Sequence, residues 1–522
     1  MLSVTPLGSH RCQTLTMRDE EVLGLDSDEP LVVVEAPAGC GKTYQAAAYA
    51  KRAASRLTTG RVLILTHTHA GCAAFAEKTH TVHRRVEIRT LDSFIVQIAR
   101  AYHKSLDLPD DPAVWARQEG EGGYASLASR VAKLFLRHPF IAVALTERFP
   151  VVVADEHQDT NAHQHAIVIA LQEAGAKLRI FGDPMQGIFS RGREAQEAMA
   201  RWEEATETGR FAQLCRPHRW RDGTPALGDW VLQARQALKD GAPIDLTGGL
   251  PAGLTVRYAE NAAGATQYRL SYAHRRSIDD VVNAKRQLLV LTPQNSIARA
   301  LTAFWNRAIP LWEGHTRPAL DQLLVEMSAS DSDPVATAGA VRAFLAEVAV
   351  GCSPSIFGDR LVREVEEGCS KKTRGKPKKI QDLGRIILNE PGHAGMSKLL
   401  VELARLSRER TKGFENVKID CRREYNDAIR LGSFEDVDLG MAEIHRRRSF
   451  SHPMPPPRAI STIHKAKGLQ CDNVLLIPCD SRISTTHYSR CRLYVAISRA
   501  KCSLTIVLSR DSPCKLFRTA AT

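Results

Sequence analysis

The fold of this chain is indicated by residues 31–43, which read LVVVEAPAGCGKT. The opening run LVVV is short, apolar and β-branched, as expected of a parallel strand that is buried on both faces. A glycine-containing turn follows at once, and the alanine-rich segment 44–55 has the composition of a helix. A buried strand, a glycine turn and a helix in this order predict an α/β fold with a phosphate-binding loop.

The chemistry of such a loop needs these residue types. Glycines allow successive backbone N–H groups to converge on phosphate oxygens without clashes from Cβ atoms, and the helix N-terminus attracts negative charge. Lys42 would place a positive charge at the β- and γ-phosphates, and the Thr43 hydroxyl is a hard oxygen ligand for Mg²⁺. A chance GKT in an ordinary turn is the alternative, but the strand–turn–helix context favours nucleotide binding. The predicted nucleotide-binding residues are Ala36, which stands where the usual pattern has its first glycine, Pro37, Ala38, Gly39, Cys40, Gly41, Lys42 and Thr43.

A second motif, VVVADE at 151–156, places two carboxylates after another buried strand. Asp155 is suited to hold Mg²⁺, and Glu156 is suited to orient and deprotonate an attacking water. On its own, an Asp-Glu pair after a strand could equally well cap a helix. Together with the phosphate loop, it predicts a site that binds and hydrolyses a nucleotide phosphate with Mg²⁺ as the cofactor.

Other segments repeat the strand-then-helix alternation. RVLILT at 61–66 and KLRIFGD at 177–183 complete a predicted parallel sheet, whose ligands would bind at the carboxyl ends of the strands. A second, fainter sheet is predicted from strands at 287–292, 473–479 and 503–509.

Helix-rich stretches lie at about 95–149 and about 311–455. The second contains the basic run SKKTRGKPKK at 370–379, which is too charged and too broken by Gly and Pro for a helix interior. It is equally well interpreted as a solvated loop or as a loop that contacts phosphates. The segment HPMPPPR at 452–458 is predicted to be a stiff linker into the second sheet.

Composition limits the class of protein and its partners. The chain has 522 residues, of which 43% are hydrophobic and 25% charged, which is typical of globular proteins. It contains no apolar stretch that approaches the length of a membrane span and no signal-peptide core at its start, so we expect a soluble cytoplasmic protein without a membrane partner. The formal net charge of +13 favours nucleic acid as a partner over a merely solubilising basic surface. The 12 cysteines are scattered singly, which predicts reduced thiols rather than disulfides or a zinc site.

The segment DEHQDTN at 155–161 resembles the DExQDxN motif of superfamily 1 DNA helicases of the UvrD/Rep type. Six other segments resemble the remaining motifs of that family and follow in its order. They are THTHAGCAAF (66–75), RTLDSF (89–94), FGDPMQGIF (181–189), LCRPHRW (214–220), STIHKAKGLQCDNV (461–474) and YVAISRAK (494–501).

This resemblance implies two RecA-like parallel-sheet domains with ATP in the cleft between them, each carrying a small and mainly helical insertion. The first RecA-like domain would comprise residues 1–94 and 150–221, with its insertion at 95–149. The second would comprise residues 222–310 and 456–522, with its insertion at 311–455.

The resemblance also implies roles for single residues. Arg219 and Arg499 would reach the γ-phosphate from across the cleft, Gln186 would sense it, and Gln470 would lie near the nucleotide sugar. Contacts to nucleic acid are implied for Thr66, His67, Thr90, Phe189, His464 and Lys465.

Two departures from the family pattern concern the nucleotide base. The glutamine that reads adenine upstream of the loop is missing from MRDEEVLG at 17–24, which puts adenine preference in question. The base-stacking tyrosine is replaced by His218, unless Trp220 substitutes for it.

The DNA-facing aromatic side chains are also fewer than in the family, because His67 stands in for one aromatic residue and SRGRE at 190–194 lacks the expected tryptophan. Losing stacking platforms should weaken the grip on single strands.

We therefore predict an ATP-dependent translocase or helicase acting on single-stranded or partly duplex DNA, 3′ to 5′ by resemblance, in DNA repair or anti-phage defence. The compact architecture is similar to the helicase subunit of the two-gene Gabija anti-phage system, which implies an OLD-type nuclease as partner.

The main alternative is a DNA-responsive regulatory ATPase that licenses a nuclease and unwinds little. A DNA-binding module with an inactive nucleotide site is the third hypothesis, against which the intact carboxylates speak.

Overall fold

The computed structural model describes residues 24–264, 268–313, 318–329, 333–437, 439–441, 443–444 and 455–519. Two segments of the sequence analysis lie partly outside these residues. They are the segment that lacks the adenine-reading glutamine, of which 17–23 are outside, and the proline segment, of which 452–454 are outside.

Within the described ranges, no helix is both long and apolar enough to cross a membrane. The cysteines of this part of the chain are all free thiols, and no group of three His, Cys, Asp or Glu side chains in it is placed to hold a metal ion.

The first sheet has six parallel strands in the order β3-β2-β4-β5-β1-β6. Its central strands are the predicted β-branched runs, and every residue of β1, β2 and β4 is buried. The two edge strands, β3 and β6, were not predicted. The strands are β1 (Leu31–Glu35), β2 (Val62–Thr66), β3 (Val86–Thr90), β4 (Val151–Ala154), β5 (Lys177–Gly182) and β6 (Arg210–Gln213).

Helices cover both faces of this sheet. The predicted helix after the glycine turn is α1 (Lys42–Arg56), whose alanines allow it to pack closely on one face. On the other face, an apolar core joins the sheet to the helical insertion between β3 and β4. The remaining helices are α2 (His69–Thr79), α3 (Leu91–Ala101), α4 (Pro112–Gln118), α5 (Gly123–Arg137), α6 (Pro139–Arg148), α7 (Ala162–Glu173) and α8 (Gly192–Thr208).

The second sheet has five parallel strands in the order β12-β9-β13-β14-β8. The three predicted strands occupy its centre, and β8 and β12 complete it. Two short strands, β7 and β15, pair separately. The elements of this part are α9 (Pro225–Lys239), β7 (Ile244–Asp245), β8 (Leu254–Tyr258), α10 (Tyr272–Ala284), β9 (Leu288–Thr292), α11 (Asn295–Phe304), β12 (Arg458–Thr462), β13 (Cys471–Cys479), α18 (His487–Ile497), β14 (Ala500–Leu508) and β15 (Phe517–Arg518).

A helical insertion with its own apolar core lies between α11 and β12. The prediction for the basic run 370–379 is half wrong, because only its first part is a loop and α15 begins at Lys376. Proline is tolerated in the first turn of a helix, where its missing N–H would have no acceptor. The insertion comprises α12 (Pro318–Ala329), α13 (Pro334–Val348), β10 (Ala349–Val350), α14 (Asp359–Glu366), α15 (Lys376–Asn389), α16 (His393–Arg408), β11 (Lys418–Ile419) and α17 (Arg422–Leu431).

Candidate functional site

The phosphate-loop candidate connects β1 to α1 in a conformation that only glycine adopts easily. Gly39 and Gly41 have φ of 79° and 87°, in the left-handed region. A Cβ atom on Gly39 would lie 2.6 Å from the ring of Trp220, so no larger residue fits there. Ala36 has no positive φ, which explains why the position of the usual first glycine accepts a side chain. The loop therefore turns tightly into the N-terminus of α1, with the Cys40 N–H bonded to the Pro37 carbonyl at 3.1 Å.

Two carboxylates follow β4 and meet the loop lysine. Asp155 is anchored by its backbone N–H, which donates to the Leu65 carbonyl at 2.8 Å. Lys42 Nζ lies 3.4 Å from Asp155 Oδ1 and also forms an ion pair with Glu156. Glu156 has a left-handed φ of 55°, and its Oε2 accepts a hydrogen bond from Gln158 Nε2 at 2.5 Å. A non-glycine residue held in this strained region is a feature that often marks a functional site.

The charges of this cluster shift one another's pKa values. Burial raises the pKa of Asp155 to about 6 despite the nearby Lys42 ammonium. Burial also disfavours the Glu156 carboxylate, but Lys42 and Lys467 outweigh it and hold the pKa of Glu156 below its usual range. Burial opposes the charge on Lys42, yet the two carboxylates keep its pKa above the ordinary lysine value. Glu156 is therefore ionised at neutral pH and able to accept a proton.

These residues fit a nucleoside triphosphate and Mg²⁺. The glycine turn holds the backbone at a positive φ at Gly39 and Gly41, as a phosphate-binding loop requires, and Lys42 supplies the positive charge beside it. Asp155 Oδ1 is buried and has the Lys42 ammonium 3.4 Å away but no closer hydrogen-bond donor, so this hard oxygen atom suits a cation.

Two arginines approach this cluster from the side of the second sheet. Arg499, which precedes β14, donates from Nη2 to Gln186 Oε1 at 3.2 Å and is only 2% exposed. Arg219 donates through its backbone N–H to the Gly39 carbonyl at 3.0 Å and through its guanidinium to the Ser498 carbonyl. Burial, together with the charge of Arg219, lowers the pKa of Arg499. The structure thus brings Gln186 and both predicted arginines to the phosphate loop.

Further hydrogen bonds join the two sheets around the loop. The Ala38 backbone N–H donates to the Tyr494 hydroxyl at 2.8 Å. Lys467 Nζ lies 2.7 Å from both Asp159 Oδ1 and the Gln186 carbonyl. Residues that are distant in the chain are therefore linked directly at the nucleotide cleft.

Behind the loop lies a buried ion network that the sequence analysis did not predict. Arg235 of α9 donates from Nη2 to Glu35 Oε1 at 2.6 Å and to Asp183 Oδ1 at 2.7 Å. Asp183 also accepts from Gln186 Nε2 at 3.0 Å, so the network orients the glutamine that contacts Arg499. Arg235, Glu35 and Asp183 are all at most 3% exposed.

Replacing Arg235 by methionine is expected to lower the free energy of unfolding by about 3–5 kcal/mol, because two carboxylates would remain buried without their main partner. Burial disfavours the Glu35 carboxylate, but Arg235 and Lys239 lower its pKa, so its contribution to stability is present at neutral pH and is lost as the pH falls. The difference between wild type and variant should therefore shrink in acid. Urea denaturation at several pH values measures it.

The matched control is Arg275→Met, which removes an exposed ion pair with Asp279. Its expected cost is below about 1 kcal/mol. Equal losses in the two variants would contradict the role of the buried network.

The predicted nucleic-acid contacts divide into exposed and buried residues. Phe189 is 50% exposed and packs edge-on against the His464 ring, with centroids 4.9 Å apart. Thr66 and Thr90 end neighbouring strands but are buried, and the Thr90 hydroxyl caps α3 by accepting from the Ser93 N–H. His67 follows β2 near Lys42 and Glu156, where burial lowers its pKa to about 4. Lys465 is partly exposed one residue after His464.

Two other predictions concern the nucleotide base and sugar. Trp220 cannot stack on a base, because it is fully buried and its indole N–H donates to the Ala500 carbonyl at 2.6 Å. His218 is exposed, and its ring lies 3.3 Å from where a Cβ atom of Gly41 would be. Gln470 is exposed and follows a turn at Gly468, whose φ is 84°.

One group of side chains near Phe189 was not predicted from the sequence: the ring of Tyr488 with the guanidinium groups of Arg191 and Arg492. The Tyr488 ring of α18 has the Arg191 guanidinium 4.7 Å from its centroid on one side and that of Arg492 5.5 Å away. Arg191 Nη2 also donates to the Tyr488 hydroxyl at 2.8 Å. The spacing Tyr488–Arg492, one helical turn, was the available signal in the sequence. Tyr44, which is 62% exposed directly after Thr43, is a second aromatic residue that was overlooked.

Comparison with known proteins agrees with this geometry. Residues 115–199 match the model of the UvrD/REP helicase N-terminal domain, and residues 458–507 match that of the UvrD-like helicase C-terminal domain. No curated protein matches the chain. The two matched domains support a UvrD-type helicase and indicate a DNA helicase that hydrolyses ATP. With the two parallel sheets, they confirm the predicted α/β class with two RecA-like domains.

Proposed function

We propose that the chain is an ATP-dependent translocase and helicase that moves 3′ to 5′ along single-stranded DNA. The observation that carries the proposal is the contact between Arg499, which precedes β14 of the second sheet, and Gln186, which follows β5 of the first. A guanidinium delivered from the opposite side of a cleft stabilises charge on a γ-phosphate only when the cleft is closed. Closure and hydrolysis would then be coupled.

Each residue of the cluster has a distinct part in this proposal. The loop N–H groups and Lys42 would bind the phosphates, and Thr43 and Asp155 would hold Mg²⁺, which neutralises phosphate charge when bound. Glu156 would orient water and take its proton. Arg219 and Arg499 would stabilise the charge that develops on the phosphate oxygens.

A continuous set of contacts links this site to the exposed aromatic residues. Gln186 contacts Arg499 through its side chain, and its carbonyl accepts from Lys467. The Lys467 ammonium lies 4.6 Å from the centroid of the Phe189 ring, which packs on His464. A shift of Gln186 would therefore be transmitted to Phe189 and His464, where we place bound DNA.

The first test is the rate of ATP hydrolysis with and without single-stranded DNA. We expect a several-fold stimulation, and displacement of a duplex strand when the loading tail is 3′ but not when it is 5′. Equal rates with and without DNA would reject coupling to nucleic acid. An RNA strand of the same sequence serves as the comparison for substrate class.

The alternative is a DNA-responsive ATPase that licenses a nuclease in anti-phage defence and unwinds little. It is favoured by the loss of stacking platforms for DNA, since His67 replaces an aromatic residue and SRGRE at 190–194 lacks the expected tryptophan. DNA-stimulated hydrolysis without strand displacement would support this alternative. Robust unwinding by the isolated chain would count against it.

We also place Tyr488 beside the bound DNA, because Arg191, which contacts its ring, comes two residues after Phe189 in the chain. Replacing Tyr488 by alanine is expected to weaken the affinity for single-stranded DNA about tenfold, because stacking of one base on an aromatic ring contributes about 1–3 kcal/mol. Hydrolysis without DNA should be unchanged. Tyr488→Phe keeps the ring and should bind nearly as well, while Tyr272→Ala removes an aromatic side chain that is 92% exposed elsewhere on the same lobe. Fluorescence anisotropy with a labelled oligonucleotide measures the difference, and equal affinity for all the variants would refute the assignment.

A further inference from the structure

A basic groove lies in the helical insertion, remote in sequence from every helicase motif. It encloses about 860 Å³ between α16, β11 and α17. Five cationic side chains line it, and Glu415 is its only acidic lining residue. The cations are Arg307, Arg408, Arg410, Lys418 and Arg422.

Most of these charges lack a carboxylate partner. Arg307 pairs with Asp420 at 2.8 Å, but Arg408, Arg410, Lys418 and Arg422 form no ion pair within the described part of the chain. One carboxylate oxygen of Glu415 already accepts a hydrogen bond, from the Gly413 N–H at 2.7 Å. Like charges around one cavity repel each other, and a bound anion would relieve that repulsion.

The outer surface of the same helix shows the contrast. Arg405 of α16 pairs with both Glu402 and Glu409 at 2.6 Å. The helix therefore compensates the arginine outside the groove and leaves Arg408, in its last turn, uncompensated. A general need for solubility does not explain why one arginine of the last turn has carboxylate partners and the other has none.

Two of the groove arginines also have a strained backbone. Arg307 and Arg410 have φ of 60° and 51°, in the left-handed region that favours glycine. Arg410 terminates α16 with its N–H bonded to the Ser407 carbonyl, and the next N–H, of Thr411, bonded to the Leu406 carbonyl. Glycine is the usual residue at this helix-terminal position. Arginine at such positions points to a function for its side chain.

The groove also has an apolar wall and two amides. Val401 is 52% exposed, and Ile419 and Ile429 are partly exposed beside it. Asn416 and Asn426 lie among the lining residues and are exposed. Guanidinium groups match phosphoryl oxygens, an apolar wall suits a flat ring, and amides can bond the edge of a heterocycle. Sites of about 300–1,000 Å³ are typical of small ligands.

We propose that this groove is a second nucleotide site, which binds a nucleoside di- or triphosphate with its phosphates on Arg408, Arg410 and Arg422 and its base against Val401. This site is separate from the phosphate loop and does not depend on the proposed helicase activity. Occupancy of this site in the insertion would then depend on the concentration of a free nucleotide.

Equilibrium dialysis of labelled ADP against the full chain tests the proposal by stoichiometry. We expect two molecules of ADP per chain in the wild type and one in Arg408→Gln/Arg410→Gly/Arg422→Gln. A variant with the same change in charge, Arg342→Gln/Lys398→Gln/Arg405→Gln, alters ion-paired residues of the insertion outside the groove and should still bind two.

The single variant Arg410→Gly separates loss of ADP binding from loss of folding. Because glycine suits a φ of 51°, this variant should keep or raise the Tm while weakening the second ADP site about tenfold. Equal amounts of bound ADP in the wild type and the triple groove variant overturn the proposal, as does equal loss in the matched variant. A groove variant that loses only affinity for DNA would overturn it too, because the groove would then be a nucleic-acid surface.

Discussion

Replacing Glu156 by glutamine is expected to lower kcat for ATP hydrolysis by about 10² to 10⁴-fold, the usual contribution of a general base. The carboxylate is ionised in spite of burial, because Lys42 and Lys467 keep its pKa below the usual range, so it is in the form that can accept a proton. Glutamine has the same shape, and its amide oxygen can still accept from Lys42, but its NH2 group cannot accept from Gln158 and it cannot take a proton from water. ATP binding should therefore be nearly intact, and the variant should hold ATP unhydrolysed on DNA.

Steady-state ATPase assays and the affinity for labelled ATP separate the two effects. Glu173→Gln, at the exposed end of α7, is the matched control and should behave as wild type. A Glu156→Gln chain that hydrolyses ATP at the wild-type rate would show that the base is another group. A chain that no longer binds ATP would show that Glu156 acts mainly through its ion pair with Lys42.

Replacing Arg499 by lysine is expected to lower kcat about 10³-fold, at the lower end of the effect of an arginine that reaches across a cleft. Lysine keeps the charge but lacks the planar fork that bonds Gln186 together with the Leu469 and Val495 carbonyls. Because the guanidinium is buried, part of any effect could reflect stability. The Tm must therefore be measured with kcat and KM.

The control for this variant is Arg510→Lys, an exposed arginine of the same lobe that stacks on Tyr258. We expect its kcat and Tm to equal those of wild type. A large fall in kcat for Arg499→Lys at an unchanged Tm supports a role in hydrolysis. Unchanged kcat would mean that Arg499 only supports the packing of the cleft.

The central strands of both sheets could be predicted because their residues are buried on both faces and form continuous apolar runs. The edge strands could not. In β6, RFAQ, only Ala212 is buried, and in β3, VEIRT, the middle residues are partly exposed. These two edge strands are partly exposed to solvent, so their sequences carry little hydrophobic pattern.

The phosphate loop and the carboxylates after β4 were determined by the sequence alone, because their chemistry depends on residues that are close in the chain. A glycine at a positive φ and a lysine beside it are local requirements, which a short motif records. The basic run at 370–379 shows the limit of such local reasoning. Its charges suggested a loop throughout, but α15 begins within it because a proline in the first turn of a helix costs no hydrogen bond.

Only the tertiary structure decided which distant groups become partners. Arg499 and Gln186 are 313 residues apart, and Arg235 reaches Glu35 across 200 residues. Burying a charge is costly unless it is paired, so each buried charge requires the particular partner that the fold places beside it. Trp220 shows the same principle, because its sequence position suggested a base-stacking residue and packing placed it in the core. Contact between distant residues leaves no local signal, so folding had to bring them together before their chemistry could be inferred.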